Sequence, residues 1–137
     1  MKYVELNPAG NFDTWQISKL EELNDSHIST SLGQDLLFEN DEYRLWVICL
    51  YPGERLPFRI QNTNYSWTCL TGGLVVSRFA DGSINFFKIE KEDTGYFKFK
   101  GKRFVSDFEN VGEDLIELNA VEYKHDMYKN IVRELVL

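Results

Sequence analysis

The sequence predicts an all-β sandwich or barrel preceded by one short helix. Three observations carry that expectation. From Leu36 onward apolar residues recur with a period of two. The runs so marked are short. Each is closed within a few residues by a turn signal, at Pro52-Gly53, Gly72-Gly73, Asp81-Gly82, Gly101 and Asn110-Val111-Gly112. Many short strands at short intervals are the pattern of a sandwich or barrel.

Taken in order, the first dozen residues contain a turn at Asn7-Pro8-Ala9-Gly10-Asn11. Asp13 is placed to cap a short helix over 15–23, with Gln16 three residues on in the capping-box position. Trp15, Ile17, Leu20 and Leu23 then fall near one face of that helix. In 43–50, Tyr43, Leu45, Val47 and Cys49 alternate with Arg44, Trp46, Ile48 and Leu50, a strand with both faces mostly apolar. Residues 59–70 read as a further strand, rich in aromatic and β-branched side chains. The runs 74–79 and 84–89 flank Ala80-Asp81-Gly82-Ser83, and an Asp-Gly turn between apolar runs signals a hairpin. Three more strands are expected over 96–100, 104–108 and 115–123. The tail, 125–137, stays open between a short amphipathic helix carrying Ile131, Val132 and Leu135 and a final strand exchanged with a partner.

Length and composition bound the rest. A chain of 137 residues, 43% hydrophobic and 15% aromatic, is one folded domain over 1–137. The formal net charge is −7, an acidity read here as uninterrupted by any basic run. A nucleic-acid partner is therefore not expected, because phosphate contacts need a basic face. No apolar stretch approaches the ~20 residues that span a bilayer, so no membrane association is expected. Met1-Lys2-Tyr3-Val4-Glu5-Leu6 has neither the apolar core nor the small-residue cleavage site of a signal peptide. The expected location is cytoplasmic. Cys49 and Cys69 each lie in an apolar, strand-like run. They are either a reactive or disulfide-forming pair or two small buried hydrophobes, and without secretory context the second reading is favoured.

Several segments together resemble a known family. They are 37–46, Pro52-Gly53-Glu54-Arg55-Leu56-Pro57, Leu70-Thr71-Gly72-Gly73, Ala80-Asp81-Gly82 and Glu109-Asn110-Val111-Gly112. Over about 36–124 the chain looks like a small single-domain bacterial cupin of the RmlC-like kind. The resemblance implies a double-stranded β-helix, a jelly-roll barrel whose interior can hold a ligand. The first cupin motif sets a glycine, two histidines, a glutamate and a second glycine at fixed spacings, and Gly53 and Gly72 stand at the glycine positions. Arg59 and Gln61 stand at the histidine positions and Tyr65 at the glutamate position. In the second motif Asn110 is kept and Ser106 replaces the histidine. All four positions that hold a metal in a typical cupin have changed.

The residues say the same without the family. A mononuclear transition-metal site wants imidazole and carboxylate ligands. Arg59 offers no lone pair, Gln61 offers a weak neutral oxygen, and protonated Tyr65 and Ser106 are poor ligands. The chain has two histidines, His27 and His125, both outside the motifs. A metal-free protein with no cofactor is expected.

If the strands pleat as the family implies, Arg59, Gln61, Tyr65 and Ser106 point into the barrel. Period two then adds Trp67 and Cys69 beside Tyr65, and Phe104 and Phe108 beside Ser106. Those eight residues are the candidate ligand-binding set: apolar walls with a few polar groups that set orientation. A buried guanidinium without an anion is costly. Arg59 therefore either awaits a carboxylate or phosphate, pairs internally with Glu54, Asp107 or Glu109, or turns out to solvent. Tyr65 is a proton donor, an orienting hydrogen bond or a packed aromatic. Ser106 most simply fills space left by a histidine. Gln61 satisfies Arg59 or Tyr65, or contacts the ligand.

Three functions fit this pattern. The first is a metal-free barrel that binds a small anionic or aromatic molecule, such as a carboxylate. The second is a metal-independent isomerase or epimerase of the RmlC type. It would use Tyr65 as acid and Asp107 or Glu109 as base, although both carboxylates should face away from Ser106's side of the strand. The third is a structural or interaction protein with a filled barrel. A homodimer formed through sheet edges is expected under all three. Metal-dependent oxygenation would require the ligand positions to be misaligned.

Overall fold

Two five-stranded antiparallel sheets pack face to face in a computed structural model that describes residues 1–125. The strands are β1 (Lys2–Asn7), β2 (Asp35–Glu39), β3 (Tyr43–Leu50), β4 (Arg55–Ile60), β5 (Asn64–Cys69), β6 (Gly73–Arg78), β7 (Ile84–Ile89), β8 (Thr94–Phe97), β9 (Val105–Asn110) and β10 (Ile116–Tyr123), with one helix, α1 (Ile17–Leu23). One sheet runs β1-β7-β6-β9-β4 and the other β2-β3-β10-β5-β8. Successive strands cross repeatedly from one sheet to the other, which is the jelly-roll arrangement of a double-stranded β-helix. Both readings of the tail concern 126–137, which lie outside the described residues.

Turn chemistry places most of the crossings. Pro52 and Gly53 form the corner after β3, where the Glu54 N–H donates to the Tyr51 carbonyl at 2.9 Å and Gly53 takes φ 84°. Proline presets the first central position of such a turn and glycine takes the positive φ of the second. The Asp81-Gly82 hairpin joins β6 and β7 as expected, in unbroken register from Gly73↔Ile89 to Arg78↔Ile84.

Three expectations are corrected and one strand was not anticipated. The single strand expected over 59–70 is two strands in different sheets, β4 and β5, broken at Gln61-Asn62-Thr63. The strand expected over 96–100 is β8, which ends at Phe97. The N-terminal residues before the turn form β1, an edge strand paired with β7. The helix starts at Ile17, two residues late, with Gln16 at its N-cap and no side-chain cap. Asp13 instead donates its backbone N–H to the Asn11 side chain at 3.1 Å, and Trp15 sits in the turn ahead of the helix with its indole N–H on the Gly82 carbonyl at 2.9 Å.

The core is divided around a hollow. One buried cluster, Cys69, Val75, Ile89, Ile116 and Leu118, closes one end of the barrel. A second, Trp15, Phe58 and Val105 with Leu20 and Leu23 against it, lies outside the barrel wall beneath α1. A third joins Leu32, Trp46 and Ala120, with Tyr65 against it.

One irregularity positions the site. Leu56 lies opposite Phe108, and Arg59 lies opposite Ser106, so β4 takes three steps where β9 takes two. The extra residue is a β-bulge at Pro57-Phe58, where a proline in a strand belongs. The bulge shifts the pleat, so that Leu56 and Arg59 both face inward while Phe58 faces the helix. The Phe58 N–H, left out of the ladder, donates to Glu22 of α1 at 3.0 Å.

Candidate functional site

The hollow is a cavity of about 300 Å³ between the two sheets. Arg59, Gln61, Tyr65 and Ser106 all line it, as do Trp67, Cys69, Phe104 and Phe108. The structure thus brings together all eight candidate residues. Phe79, Phe87, Tyr96 and Phe97 extend the aromatic wall, and Ile48, Leu118 and Ala120 extend the apolar one. Tyr96 and Phe104 are 59% and 37% exposed, which places them at the mouth.

Three of the four motif positions form one hydrogen-bonded chain. The Tyr65 hydroxyl donates to Gln61 Oε1 at 2.5 Å, and Gln61 Nε2 donates to Ser106 Oγ at 2.6 Å. Burial pushes the Tyr65 phenol well above its ordinary pKa, which keeps it a proton-bearing donor. Burial also pushes the Cys69 thiol up to about 11, with the Asp93 charge adding to the effect. Cys49 and Cys69 are both free.

Arg59 stands apart. Its Nε is buried with no hydrogen-bond partner among the described residues. One terminal nitrogen reaches only the Phe58 and Pro57 carbonyls, at 3.3 and 3.5 Å. Burial lowers its pKa from the usual arginine value; the Glu22 charge opposes that shift and the Arg55 charge adds to it. The internal partners considered for it are engaged elsewhere. Asp107 accepts from Arg55 Nε at 2.6 Å and from Arg78 at 2.9 Å, Glu109 pairs with Arg78 at 3.0 Å, and Glu54 accepts the Tyr51 N–H at 3.0 Å.

Other signals were missed in the sequence. Arg55 also pairs with Glu22 of α1 at 2.8 Å and lies over the Phe58 ring at 4.9 Å. Glu22, Arg55, Asp107, Arg78 and Glu109 therefore form one ionic ladder that braces the bulge, with Asp107 at its centre buried and bordering the cavity. Pro57 inside an apolar run was the one sequence cue to it. The acidic total likewise concealed a local basic run, Lys98 to Arg103, in the loop between β8 and β9.

Solved structures sharing this architecture were found across distant organisms. A cupin domain from Bordetella pertussis Tohama I is 12% identical, with a TM-score of 0.58 over 66% of this chain and 91% of its own. An RmlC-like cupin family protein with a double-stranded β-helix fold from Methanocaldococcus jannaschii is 17% identical, with a TM-score of 0.55 over 77% of this chain and 92% of its own. An uncharacterised conserved protein with a double-stranded β-helix domain from Klebsiella pneumoniae is 15% identical, with a TM-score of 0.53 over 81% of this chain and 90% of its own. No family model matches the sequence, and no curated protein does. The chain has the cupin fold. At these identities the likeness concerns the fold alone.

Within this cupin fold the metal-ligand positions do not suit a metal. Gln61 Oε1 already accepts the Tyr65 proton, its amide nitrogen is turned toward Ser106, and the adjoining wall carries a guanidinium. Among the described residues no group of three or more His, Cys, Asp or Glu could hold a metal ion. His27 and His125 do not line the cavity. Among the same residues, no helix is long and apolar enough to cross a membrane.

Proposed function

We propose that this cupin barrel binds a small anionic molecule with an aromatic or other flat apolar body, its acid group held by Arg59. The observation that carries the reading is the Arg59 Nε, buried without an acceptor in the wall of an otherwise aromatic cavity. Buried polar groups are nearly always satisfied, and an orphaned donor calls for a ligand that supplies the acceptor. A carboxylate or phosphate would do so through two parallel hydrogen bonds and meet the charge as well. The Tyr65–Gln61–Ser106 chain supplies neutral orienting groups, and the aromatic walls supply most of the contact area. No metal takes part in this binding.

The isomerase reading needs a base in the barrel. Of the two carboxylates considered for that role, Glu109 does not line the cavity, and Asp107, which borders it, is tied up by Arg55 and Arg78, so binding without turnover is favoured.

Isothermal titration calorimetry against a panel of aromatic and aliphatic carboxylates and phosphates tests the reading. Saturable binding to some member is expected, unchanged by prior treatment with chelator. Replacing Arg59 with alanine should weaken it by about tenfold to a hundredfold, the worth of a charge-assisted pair. An Arg59→Ala protein that binds as tightly as the wild type would overturn it.

A further inference from the structure

The loop after β8 presents an unusual charge pattern at the cavity mouth. Lys98, Lys100, Lys102 and Arg103 place four of the chain's 15 basic residues within six positions of a protein whose net charge is −7. All four are exposed. Among the described residues, none lies within 4.0 Å of a carboxylate. Four like charges so close repel one another, and no ion pair among the described residues relieves them.

The loop's base is the cavity's rim. Phe97 and Phe104, which bracket it, both line the cavity, and their rings meet at 5.1 Å. The Phe99 N–H donates to Asn64 Oδ1 at 2.7 Å, and the Phe104 carbonyl accepts the Gln61 N–H at 2.8 Å. Gln61 is two residues from Arg59, about 7 Å along an extended chain. The cationic loop therefore starts and ends on residues of the cavity wall, and one of its ends is hydrogen-bonded two residues along the chain from Arg59.

We infer that the site selects ligands with two acidic groups: one seated on Arg59, and a second at the mouth, met by Lys98, Lys100, Lys102 and Arg103. The class is a dicarboxylate or a phosphorylated acid built on a flat apolar body. The inference rests on the binding function proposed above and sharpens its ligand. A cavity lined by aromatic groups, with low-dielectric walls, focuses the field of such a loop onto its opening. A rim contact of this kind acts as an exposed ion pair, modest in strength and weakened by salt.

Terephthalate and its monomethyl ester are a matched pair of probes, with the same ring and nearly the same span but differing by one charge. Calorimetric titration of wild-type protein at about 0.02 M salt is expected to show terephthalate binding about fivefold to tenfold more tightly than the ester. In a variant carrying Lys98→Gln, Lys100→Gln, Lys102→Gln and Arg103→Gln that preference should vanish, terephthalate losing more affinity than the singly charged ester. These substitutions are at exposed loop positions, and an unchanged circular dichroism spectrum and melting temperature confirm that the variant folds. Equal affinities in the wild type, or a preference that survives in the loop variant, overturn the inference alone, provided both probes are still weakened by Arg59→Ala. No saturable binding of either probe at millimolar concentration overturns the inference. If the wider panel also fails, the proposed function falls with it.

Discussion

Arginine takes two roles at Arg55, Arg59 and Arg78, and neighbours decide which. Burial works against the charge on Arg55, but hydrogen bonds to Glu22 and Asp107 and their negative charge outweigh it, so its pKa is raised. Arg78 is paired in the same ladder. Arg59 alone faces the cavity, and there desolvation dominates. An orphaned buried donor destabilises the protein, so Arg59→Met should leave the melting temperature unchanged or raise it, by up to about 3 kcal/mol in stability. A marked loss in a denaturation experiment would mean that the guanidinium is paired after all. At Cys69 the prediction is kinetic. With its pKa pushed up to about 11 by burial, the thiol stays protonated at neutral pH. Because the thiolate is the reactive form, an aromatic disulfide reagent should label the half-exposed Cys49 first and reach Cys69 only after denaturant is added.

At the scale of elements, α1 earns its place through Glu22. The carboxyl group is held below the ordinary glutamate range chiefly by its hydrogen bond to Arg55, with burial opposing and the Phe58 N–H assisting. A depressed folded-state pKa contributes stability that is complete above the unfolded value, near ~4.3, and is lost as pH falls from there through the folded value. Urea unfolding of the wild type should therefore weaken between about pH 5 and pH 3, and Glu22→Gln should flatten that fall. Glu22→Ala, which leaves the Phe58 N–H without an acceptor, is expected to cost about 1–3 kcal/mol. Gly95 serves β5 in a different way. It lies opposite Trp67, and a Cβ there would come within 2.3 Å of the indole. Gly95→Ala should push the indole off the cavity wall, costing about 1–3 kcal/mol and changing the near-ultraviolet circular dichroism.

Across the whole molecule, the core cluster and the cavity share an apolar wall, but the polar groups that face the cavity are not part of that cluster. The buried cluster that closes the barrel does not depend on the ligand-facing polar groups, and Ile116 at its centre is 0% exposed. Ile116→Ala should cost about 2–5 kcal/mol in a denaturant titration, whereas substitutions at Gln61 or Ser106 should change binding more than melting temperature. The sequence exposed the convergence of Arg59, Gln61, Tyr65 and Ser106 because motif spacing fixes it, and period two then delivered Trp67, Cys69 and Phe108. It hid β1, whose side chains are exposed from Lys2 to Leu6 and so carry no burial periodicity. It hid the corner at Gln61-Asn62-Thr63 because neither glycine nor proline marks it. The ladder from Glu22 to Glu109 joins residues far apart in the chain, a relation no local pattern records.

The bulge in β4 has a consequence for how the interior is encoded. The six residues from Arg55 to Ile60 hold both a phenylalanine and an arginine suited to the same inward station, and only the slip of one position decides which occupies it. In a regular strand continued from Leu56, the phenyl ring would enter the barrel and the guanidinium would leave it. The interior would then be greasy, neutral and closed. Whether this barrel is a receptor or a plug is thus a matter of phase rather than composition, and the phase is held by a proline, an ionic ladder and a glutamate on a helix that does not line the cavity.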